Sequence, residues 1–284
     1  MAERNFIHRP NYGASGTVIQ RSRLLYSRLA AHNPTVILVL SGRKILRWAG
    51  NELIIPAGRA VALAGWQTFD VLNEPDEQEG VYRAQWLSFE QPLIDRFAEM
   101  YEGGELVADA RLLPEKAKFA VSFSLAAQML GDDGIPDAVA DTGLQQVLAW
   151  LHVSGCRFHA YEPMGLVRRL RKAVEEDAAF EWTAETMAGR LNMSGTTLRR
   201  RLAAQGTSFR ALLIDVRMMR ALTLLQVTSW TVAQIAAAVG YDNASRFTAR
   251  FKERFGFVPT AVRDGEGGAA EYRPAETVNV GFRS

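Results

Sequence analysis

A helix-turn-helix pattern occurs twice in the C-terminal part of the chain, and this repeat restricts the fold more than any other feature. Thr183 and Thr231 each precede a short helical stretch with alanine on its inner side. A second helical stretch follows each time, after Met193-Ser194 in the first copy and after Gly240 in the second. Serine and threonine accept hydrogen bonds from the first free amides of a helix, and glycine ends one. Each copy therefore predicts two short helices joined by a tight turn.

A long apolar segment lies between the two copies. From Phe209 to Gln226 the sequence has neither proline nor glycine, and its apolar residues recur at helical spacing. The pattern predicts one helix of about 27 Å at the standard rise. Such a helix would hold the second helices of the two copies about one DNA turn apart, so that they could occupy successive major-groove segments.

The outward faces of the two second helices are polar and basic. We expect them to meet base edges, because arginine pairs with guanine through two hydrogen bonds and small polar side chains accommodate several bases. The candidate DNA-contacting residues are Thr196, Arg199, Arg200, Asn243, Ser245, Arg246 and Arg250. A helical bundle with a solvated arginine surface is the alternative for either copy alone, and the repetition favours the DNA reader.

Charge is distributed unevenly along the chain. Residues 165–264 carry sixteen lysines and arginines against nine aspartates and glutamates, whereas the rest of the chain carries seventeen against twenty-two. A domain that meets phosphate is expected to be basic. The imbalance therefore supports a nucleic-acid contact in the C-terminal part.

Residues 165–263 resemble the DNA-binding domain of AraC/XylS-type transcription regulators. The matching residues are Met193-Ser194, Leu198, Arg200, Leu202, Gly206, Ile235-Ala236, Gly240-Tyr241, Ser245, Phe247, Phe251, Phe255, Gly256, Pro259 and Arg263. The resemblance implies a sequence-specific regulator, an activator more often than a repressor, that contacts double-stranded promoter DNA and RNA polymerase. It also implies base contacts from Thr196, Arg199, Arg200 and residues 243–249. Ala249, Val258 and Val262 depart from the family's pattern, which gives the first copy the greater weight.

Residues 1–91 follow a different pattern, of short β-rich runs separated by turn signals. Runs such as 35–40, 44–48 and 82–89 alternate with turns such as Pro56-Ala57-Gly58. Many short strands at regular spacing predict a barrel or a jelly roll. Their order resembles the cupin-like sensor domain that precedes the DNA-binding half in AraC/XylS proteins. The predicted fold class is α+β, with an N-terminal cupin-like β-barrel or jelly roll with helices and a C-terminal all-α domain in which a linker helix joins two helix-turn-helix motifs.

Five segments are predicted along the chain. They are a sensor barrel (1–91), a helical extension with candidate dimerisation helices (92–153), a linker (154–164), the DNA-binding domain (165–263) and a flexible, glycine-rich tail (264–284). Within the extension, an apolar stripe at helical spacing is the candidate homodimer seam, since the resemblance implies pairing through helices placed there. The stripe comprises Leu144, Val147, Leu148 and Leu151. Packing of the same stripe against the barrel is the alternative.

If the N-terminal domain senses a signal, residues that point inward from its strands would line the site. The candidate ligand-binding residues are Arg47, Trp48, Trp66, Tyr82 and Trp86. They could hold a small amphiphile such as a carboxylate, and they could equally fill a core. The resemblance also permits a regulatory protein in place of a small-molecule effector.

Catalysis, metals and cofactors are not expected. Metal-dependent cupins need several histidines on facing strands, yet no histidine lies between His32 and His152. His152, Cys156 and His159 could share a helical face but lack a fourth ligand. The glycines form no phosphate-binding loop, and Cys156 lacks the Pro-Cys-His-Arg setting of the DNA-repair methyltransferases that carry this DNA-binding domain. The two alternatives are a DNA-binding architectural protein with little sequence preference and, less favoured, a cupin-type enzyme fused to a DNA-binding domain.

The sequence contains neither an apolar run long enough for a transmembrane helix nor a signal-peptide core. We therefore expect a cytoplasmic protein without membrane contact. Its single cysteine cannot form a disulfide within the chain, which is compatible with a reducing compartment.

Overall fold

The computed structural model describes residues 6–115, 117–160 and 165–264, and its N-terminal half is built mainly from β-strands. Glycines with positive φ, for example Gly42 and Gly58, make several of the turns between them. The strands are β1 (Phe6–Arg9), β2 (Gly13–Gln20), β3 (Leu24–Ala31), β4 (Thr35–Ser41), β5 (Arg43–Trp48), β6 (Asn51–Pro56), β7 (Ala60–Leu63), β8 (Gln67–Glu74), β9 (Tyr82–Phe89), β10 (Glu105–Leu106), β11 (Ala110–Leu112) and β12 (Cys156–Arg157).

The longer strands pair into two antiparallel sheets. One has six strands in the order β1-β2-β9-β4-β7-β11, and the other has four in the order β3-β8-β5-β6. Over the described residues the edge strands of one sheet are not hydrogen-bonded to those of the other, so of the predicted barrel or jelly roll the closed barrel does not form. The β-rich character of the N-terminal part is confirmed.

Apolar side chains of both sheets meet in a shared core. Tyr26, Leu46 and Ile55 are fully buried there, and Val61 joins them from the six-stranded sheet. Side chains alternate between the two faces of a strand, so on β5 Leu46 shares the core-facing side with Lys44. The alternation therefore places Lys44 in the interior and Arg47 on the opposite face of β5.

Three helices of the middle segment cover the other face of the six-stranded sheet. They are α1 (Gln91–Met100), α2 (Ala117–Gly131) and α3 (Asp137–Val153). The stripe on α3 that was predicted as a dimer seam is 4% exposed or less and packs in this core, so it is not a free seam. Packing within the chain takes up the whole stripe because α3 packs against α2 and α1.

The N-terminal fold continues beyond residue 91. Strand β11 pairs with β7, so the six-stranded sheet reaches Leu112. Strand β12 pairs with β10, and Cys156 and the residue after the strand, Phe158, are buried, although both lie in the segment predicted as a linker. Residues 161–164 of that segment, and 265–284 of the predicted tail, lie outside the described residues.

The C-terminal part is helical. Its helices are α4 (Leu166–Glu176), α5 (Ala184–Arg190), α6 (Gly195–Ala203), α7 (Phe209–Val227), α8 (Val232–Ala238), α9 (Ala244–Phe255) and α10 (Ala261–Asp264). The predicted long helix is confirmed as α7, which ends one residue later than expected. Its first half packs with α4, α5 and α6, and its second half packs with α8 and α9. Helix α7 therefore forms the common support of both helix pairs.

The two halves of the molecule are packed against each other. Apolar residues of the sheets and of α7, α8 and α9 belong to one continuous cluster. The rings of Tyr26 and Phe257 meet edge to face, with centroids 5.6 Å apart. The Arg220 guanidinium lies 4.9 Å from the centre of the Phe6 ring. A rearrangement of the sheets would thus reach the helices that support the two pairs.

Candidate nucleic-acid interface

Side chains cap both helices of the first pair. Thr183 Oγ1 accepts a hydrogen bond from Thr186 N at 3.0 Å, and Thr186 Oγ1 accepts one from Thr183 N at 3.0 Å. Ser194 Oγ accepts a hydrogen bond from Thr197 N at 3.1 Å, which confirms the predicted start of α6. These bonds satisfy amides that a helix leaves free at its first turn. Local side-chain caps therefore define where α5 and α6 each begin.

Helix α6 buries one face and exposes the other. Leu198 and Leu202 are 0% and 1% exposed and pack against α5. The predicted DNA-contacting residues Thr196, Arg199 and Arg200 lie on the exposed side. Arg199 forms an ion pair with Glu185 of α5, and these side chains are 62% and 65% exposed. Solvent screens such a pair strongly, so Arg199 can exchange this carboxylate for another anion at little cost.

The second pair is capped in the same way. Thr231 and Gln234 form a capping box, with hydrogen bonds of 3.2 and 2.8 Å. Asn243 Oδ1 accepts hydrogen bonds from the amides of Ser245 and Arg246 at 2.8 and 3.1 Å. The N-cap of α9 is Asn243, one residue after the exposed Asp242. Because the cap engages the side-chain oxygen, the amide nitrogen is the group of Asn243 left to donate to a base.

Helix α9 also has a buried and an exposed face. Its phenylalanines line the buried face, whereas Ser245 and Arg246 are exposed in the first turn. Arg246 Nη1 lies 3.9 Å from Asp242 Oδ1, with both side chains more than 70% exposed. Arg250, one turn further on, bonds Glu253 Oε2 through Nη1 at 2.7 Å. Ser245, Arg246 and Arg250 thus lie along one side of α9.

The predicted residues therefore lie on two exposed helix faces joined by α7. Helix α7 has 19 residues, which corresponds to about 28 Å at 1.5 Å per residue. Each face combines an exposed helix N-terminus, whose dipole favours anions, with arginines that can bind phosphate or a base edge. The contact of these side chains with DNA stays a prediction.

Sequence reasoning missed polar residues that hold these helices from behind. Asp215 of α7 bonds Arg171 of α4 at 2.8 Å and Arg254 of α9 at 2.9 Å. Partial burial acts to raise the pKa of Asp215, but its hydrogen bonds to the two guanidinium groups outweigh burial and hold the pKa below its ordinary value. The available signal was a single aspartate in a helix whose other charged residues are all arginines.

A polar layer crosses one end of the core between the two sheets. Lys44 Nζ donates to Asn73 Oδ1 at 2.7 Å, and Asn73 Nδ2 donates to Gln20 Oε1 at 3.1 Å. Tyr26 Oη donates to the same Gln20 oxygen at 2.8 Å. Lys44 Nζ lies 5.4 Å from the centre of the Tyr82 ring. Burial lowers the pKa of Lys44 to about 7. Among the described residues no carboxylate forms an ion pair with Lys44.

Three of the five predicted ligand-binding residues lie on the core-facing side of their strands. Tyr82 is fully buried, and Trp48 packs against the core. Within the described part of the chain, Tyr82 Oη and Trp48 Nε1 are buried without a hydrogen-bond partner. Trp86 shares a face of β9 with Tyr82, and its ring lies 6.1 Å from that of Phe6.

The other two predicted residues are not in this core. Arg47 lies on the opposite face of β5 and bonds Glu52 at 2.6 Å. Trp66 lies in the loop after β7, where its ring packs against His32 and the guanidinium of Arg168. The alternation of β5 brings Lys44 into the core in place of Arg47, so this part of the predicted ligand set is corrected.

The structure gives no basis for a metal site in the residues it describes. No group of three histidine, cysteine, aspartate or glutamate side chains there could hold a metal ion. Helix α3 ends at Val153 and Cys156 lies in β12, so the helical face suggested for His152, Cys156 and His159 does not form. Burial raises the pKa of the Cys156 thiol, which disfavours the reactive thiolate. Within the same described ranges, none of the helices has the length and apolarity needed to span a membrane.

Comparison with protein families identifies the C-terminal part. A family model described as a helix-turn-helix domain matches residues 187–265. An uncharacterized HTH-type transcriptional regulator of Mycobacterium tuberculosis is 33% identical over 183 residues, which cover 61% of this chain and 52% of that protein. The HTH-type transcriptional activator CfaD of Escherichia coli is 33% identical over 91 residues, 32% of this chain and 34% of CfaD. The chain thus spans about half of the first relative's length and about a third of the second's.

Solved structures of ToxT from Vibrio cholerae share the overall fold. An apo ToxT variant superimposes with a TM-score of 0.62 at 15% identity, covering 91% of this chain and 97% of that chain. ToxT with an unsaturated fatty acid bound superimposes with a TM-score of 0.59 at 16% identity, covering 92% and 96%. At such identities the likeness concerns the fold alone, and it confirms the predicted α+β class with a β-rich N-terminal and a helical C-terminal part.

Proposed function

Since the chain belongs to the AraC/XylS family of transcription regulators, we propose that it is a sequence-specific regulator that reads promoter DNA with two helix-turn-helix motifs. The motifs are the helix pairs α5–α6 and α8–α9. One observation carries the proposal. The second helix of each pair begins at a side-chain cap, Ser194 or Asn243, and presents exposed polar and basic residues from that end. Members of this family regulate transcription and are not enzymes.

On each exposed face, some groups would position the protein on the DNA and others would read its base sequence. Helix N-termini and surplus arginines bind phosphates and fix the register, whereas side chains that reach the major groove read base edges. In α6 the readers are Thr196, Arg199 and Arg200, and Arg199 exchanges Glu185 for its DNA contact. In α9 the readers are Ser245, Arg246 and Arg250, with Asn243 contributing its amide nitrogen. Each good bidentate contact contributes about 1–3 kcal/mol of discrimination.

Selection from random DNA duplexes by the full-length chain, at a fixed near-physiological salt concentration, tests this function. We expect a bipartite motif whose halves occupy adjacent major-groove segments. Arg200→Ala should lower affinity for the selected site about 5- to 150-fold and affinity for random DNA much less. Arg201→Ala removes the same charge from the next position of the same exposed helix and is the matched control.

Two outcomes would contradict the proposal. An equal loss of affinity for selected and random DNA in Arg200→Ala would remove that arginine as a base reader. Binding with no enrichment of any sequence, and with only a steep dependence on salt, would point to an architectural DNA binder.

The β-rich domain receives the signal in this proposal, and the polar layer around Lys44 is its ligand-binding centre. A buried ammonium group without a carboxylate partner would gain a counterion from an amphiphile with a carboxylate head. Tyr82 Oη and Trp48 Nε1 would gain hydrogen-bond acceptors. The unsaturated fatty acid bound in one ToxT structure supports this ligand class. Lys44 is 7% exposed, so a ligand reaches it only through a rearrangement that the continuous core would pass to α7.

A monounsaturated fatty acid serves as the probe for this site. We expect it to change the DNA affinity of the wild-type chain and to have no effect on Lys44→Met. Lys118→Met, at an exposed lysine of α2, should respond like the wild type. An identical response of all three proteins, or no response in any of them, would contradict a carboxylate site at Lys44 and favour a regulatory protein as the signal.

The remaining parts of the proposal concern the setting in which the regulator acts. It works in the cytoplasm as an activator that contacts RNA polymerase, and it pairs with a second copy through its N-terminal helices. Because the stripe on α3 is buried, this pairing is assigned to the exposed apolar side of α2, where Val121 and Leu125 are 69% and 48% exposed.

A further inference from the structure

The side chain of Arg217 joins the two helix pairs. It leaves the middle of α7 and donates from Nε to the carbonyl of Ala178 at 3.0 Å and from Nη2 to that of Phe180 at 2.9 Å. It also donates from Nη1 to the carbonyl of Gly240 at 3.3 Å. Ala178 and Phe180 lie in the loop that leads into α5, and Gly240 lies in the turn between α8 and α9. One guanidinium group therefore bonds to both motifs at once.

The junction around this guanidinium is tightly packed. The Arg217 Cζ atom lies 5.9 Å from the centre of the Tyr241 ring. Gly240 has φ +78°, and a Cβ atom there would lie 2.5 Å from Arg217 Nη2 and 3.0 Å from the carbonyl oxygen of Ala178. The backbone of one motif thus approaches the loop of the other closely enough to leave no room for a side chain at residue 240.

A long helix alone fixes the distance between two motifs better than their relative rotation. Short helices attached through loops can pivot about their connections, and the planar guanidinium restricts this because its N–H groups point in fixed directions. Asp215 ties α4 to α9 through Arg171 and Arg254. Residues two positions apart project from roughly opposite sides of a helix. The hydrogen bonds of Arg217 and the ion pairs of Asp215 therefore restrain the elements that pack on two opposite sides of α7.

We propose that Arg217 is a positioning residue that sets the separation and relative rotation of the two helix-turn-helix motifs, and so determines which spacing between half-sites the protein accepts. Arg217 acts in this role without touching a base. The inference rests on the proposed function. One inserted base pair moves a half-site about 3.4 Å along the duplex and turns it by about a tenth of a helical turn. Rigidly held motifs penalise that change, whereas loosely held motifs follow it.

The test measures binding of the full-length chain to the bipartite site obtained by selection, and to versions with one base pair inserted or removed between the half-sites. We expect the wild type to bind the altered spacings about tenfold more weakly than the selected site. Arg217→Met should bind the selected site more weakly and reduce the spacing penalty to about threefold or less. The base preferences within each half-site should stay unchanged, since no reading residue is altered.

Three further variants test whether the spacing penalty depends on the hydrogen bonds of Arg217, on its charge or on the stability of the fold. Arg217→Lys keeps the charge but cannot bond three carbonyls in this geometry, so it should lose spacing discrimination as Arg217→Met does. Gly240→Ala disturbs the same junction without removing a charge and should act in the same direction. Arg210→Met removes an exposed arginine from the same helix and should keep the wild-type spacing penalty. Thermal melting, together with retained base preference in each half-site, shows that the variants are folded.

The outcomes distinguish this inference from the proposed function. A wild type that prefers one spacing, with Arg217→Met and Gly240→Ala that keep the full penalty, would overturn the role of Arg217 and leave the two-motif reader intact. Full discrimination in Arg217→Lys would assign the effect to charge and also overturn it. If the wild type bound sites of all three spacings equally well, the two-motif reader would be contradicted. Arg217 would then have no spacing to determine.

Discussion

Lys44 makes the stability of the β-rich domain depend on pH. Burial lowers the pKa of this lysine from 10.5 to about 7, because the interior solvates an ammonium group less well than water does. Below pH 7 the folded and unfolded chains both carry the proton. Between about pH 7 and 10 the unfolded chain binds more protons at this site than the folded one, so the free energy of unfolding rises with pH.

We therefore expect the lysine to raise the free energy of unfolding by about 2 kcal/mol between pH 7 and pH 9. Denaturant unfolding of wild type and Lys44→Met over this range measures it, and the difference between the two curves isolates the lysine. The measurements stop at pH 9 because burial also raises the pKa of Tyr82. That tyrosine would add its own pH dependence in more alkaline solution. In the control Lys118→Met, the free energy of unfolding should rise with pH as it does in the wild type. A Lys44→Met curve parallel to the wild type would contradict the assignment of this pH dependence to Lys44.

At the scale of single elements, the caps define where the exposed helices begin. Asn243 accepts two backbone amides of α9, and removing such a cap costs about 1 kcal/mol. Asn243→Ala should lower the stability of the chain by that amount, and Asn243→Ser should restore most of it because serine also caps. Asp242→Ala, one residue earlier and exposed, should have little effect on stability.

The same variants show whether Asn243 also reads a base. If its amide nitrogen donates to one, Asn243→Ser folds normally but loses discrimination at one position of the selected site. Equal stability of wild type and Asn243→Ala would contradict the capping role.

Helix starts could be predicted because a cap acts within one turn of the chain. Ser194 and Thr231 were identified at helix starts in the sequence and are the N-caps observed. The partners of Arg217 are 39 and 23 residues away at Ala178 and Gly240, so nothing in a local pattern indicates them. Strands β11 and β12 have three and two residues, too few to show alternation. Arg47 lies on the face of β5 opposite the core because residues 44, 46 and 48 share the core-facing side, a parity that the strand alternation alone indicates.

At the scale of the whole molecule, an irregular strand holds the end of α9. The register of β3 against β8 shifts between Tyr26 and Leu29, and Arg28 there has φ +53°. Asp70 Oδ1 accepts a hydrogen bond from Arg28 N at 2.7 Å and stabilises this irregularity. Arg254 donates from Nη1 to the Ser27 carbonyl at 2.9 Å and from Nη2 to the Arg28 carbonyl at 2.8 Å. The sheet that would sense a signal and the helix that would read DNA thus share one arginine.

Arg254→Met should therefore lower the local stability of β3 and of the end of α9 together. It leaves two carbonyls of β3 without their donor and Asp215 with Arg171 alone, and we expect the free energy of unfolding to fall by about 1–3 kcal/mol. Hydrogen exchange should accelerate in parallel at β3 and in the last turn of α9, because each is held through the other. Lys252→Met, at an exposed position of the same helix, should alter neither. Faster exchange in α9 with unchanged protection in β3 would mean that the two halves are not coupled through this arginine, and a signal would have to pass through their other contacts, such as that of Tyr26 with Phe257.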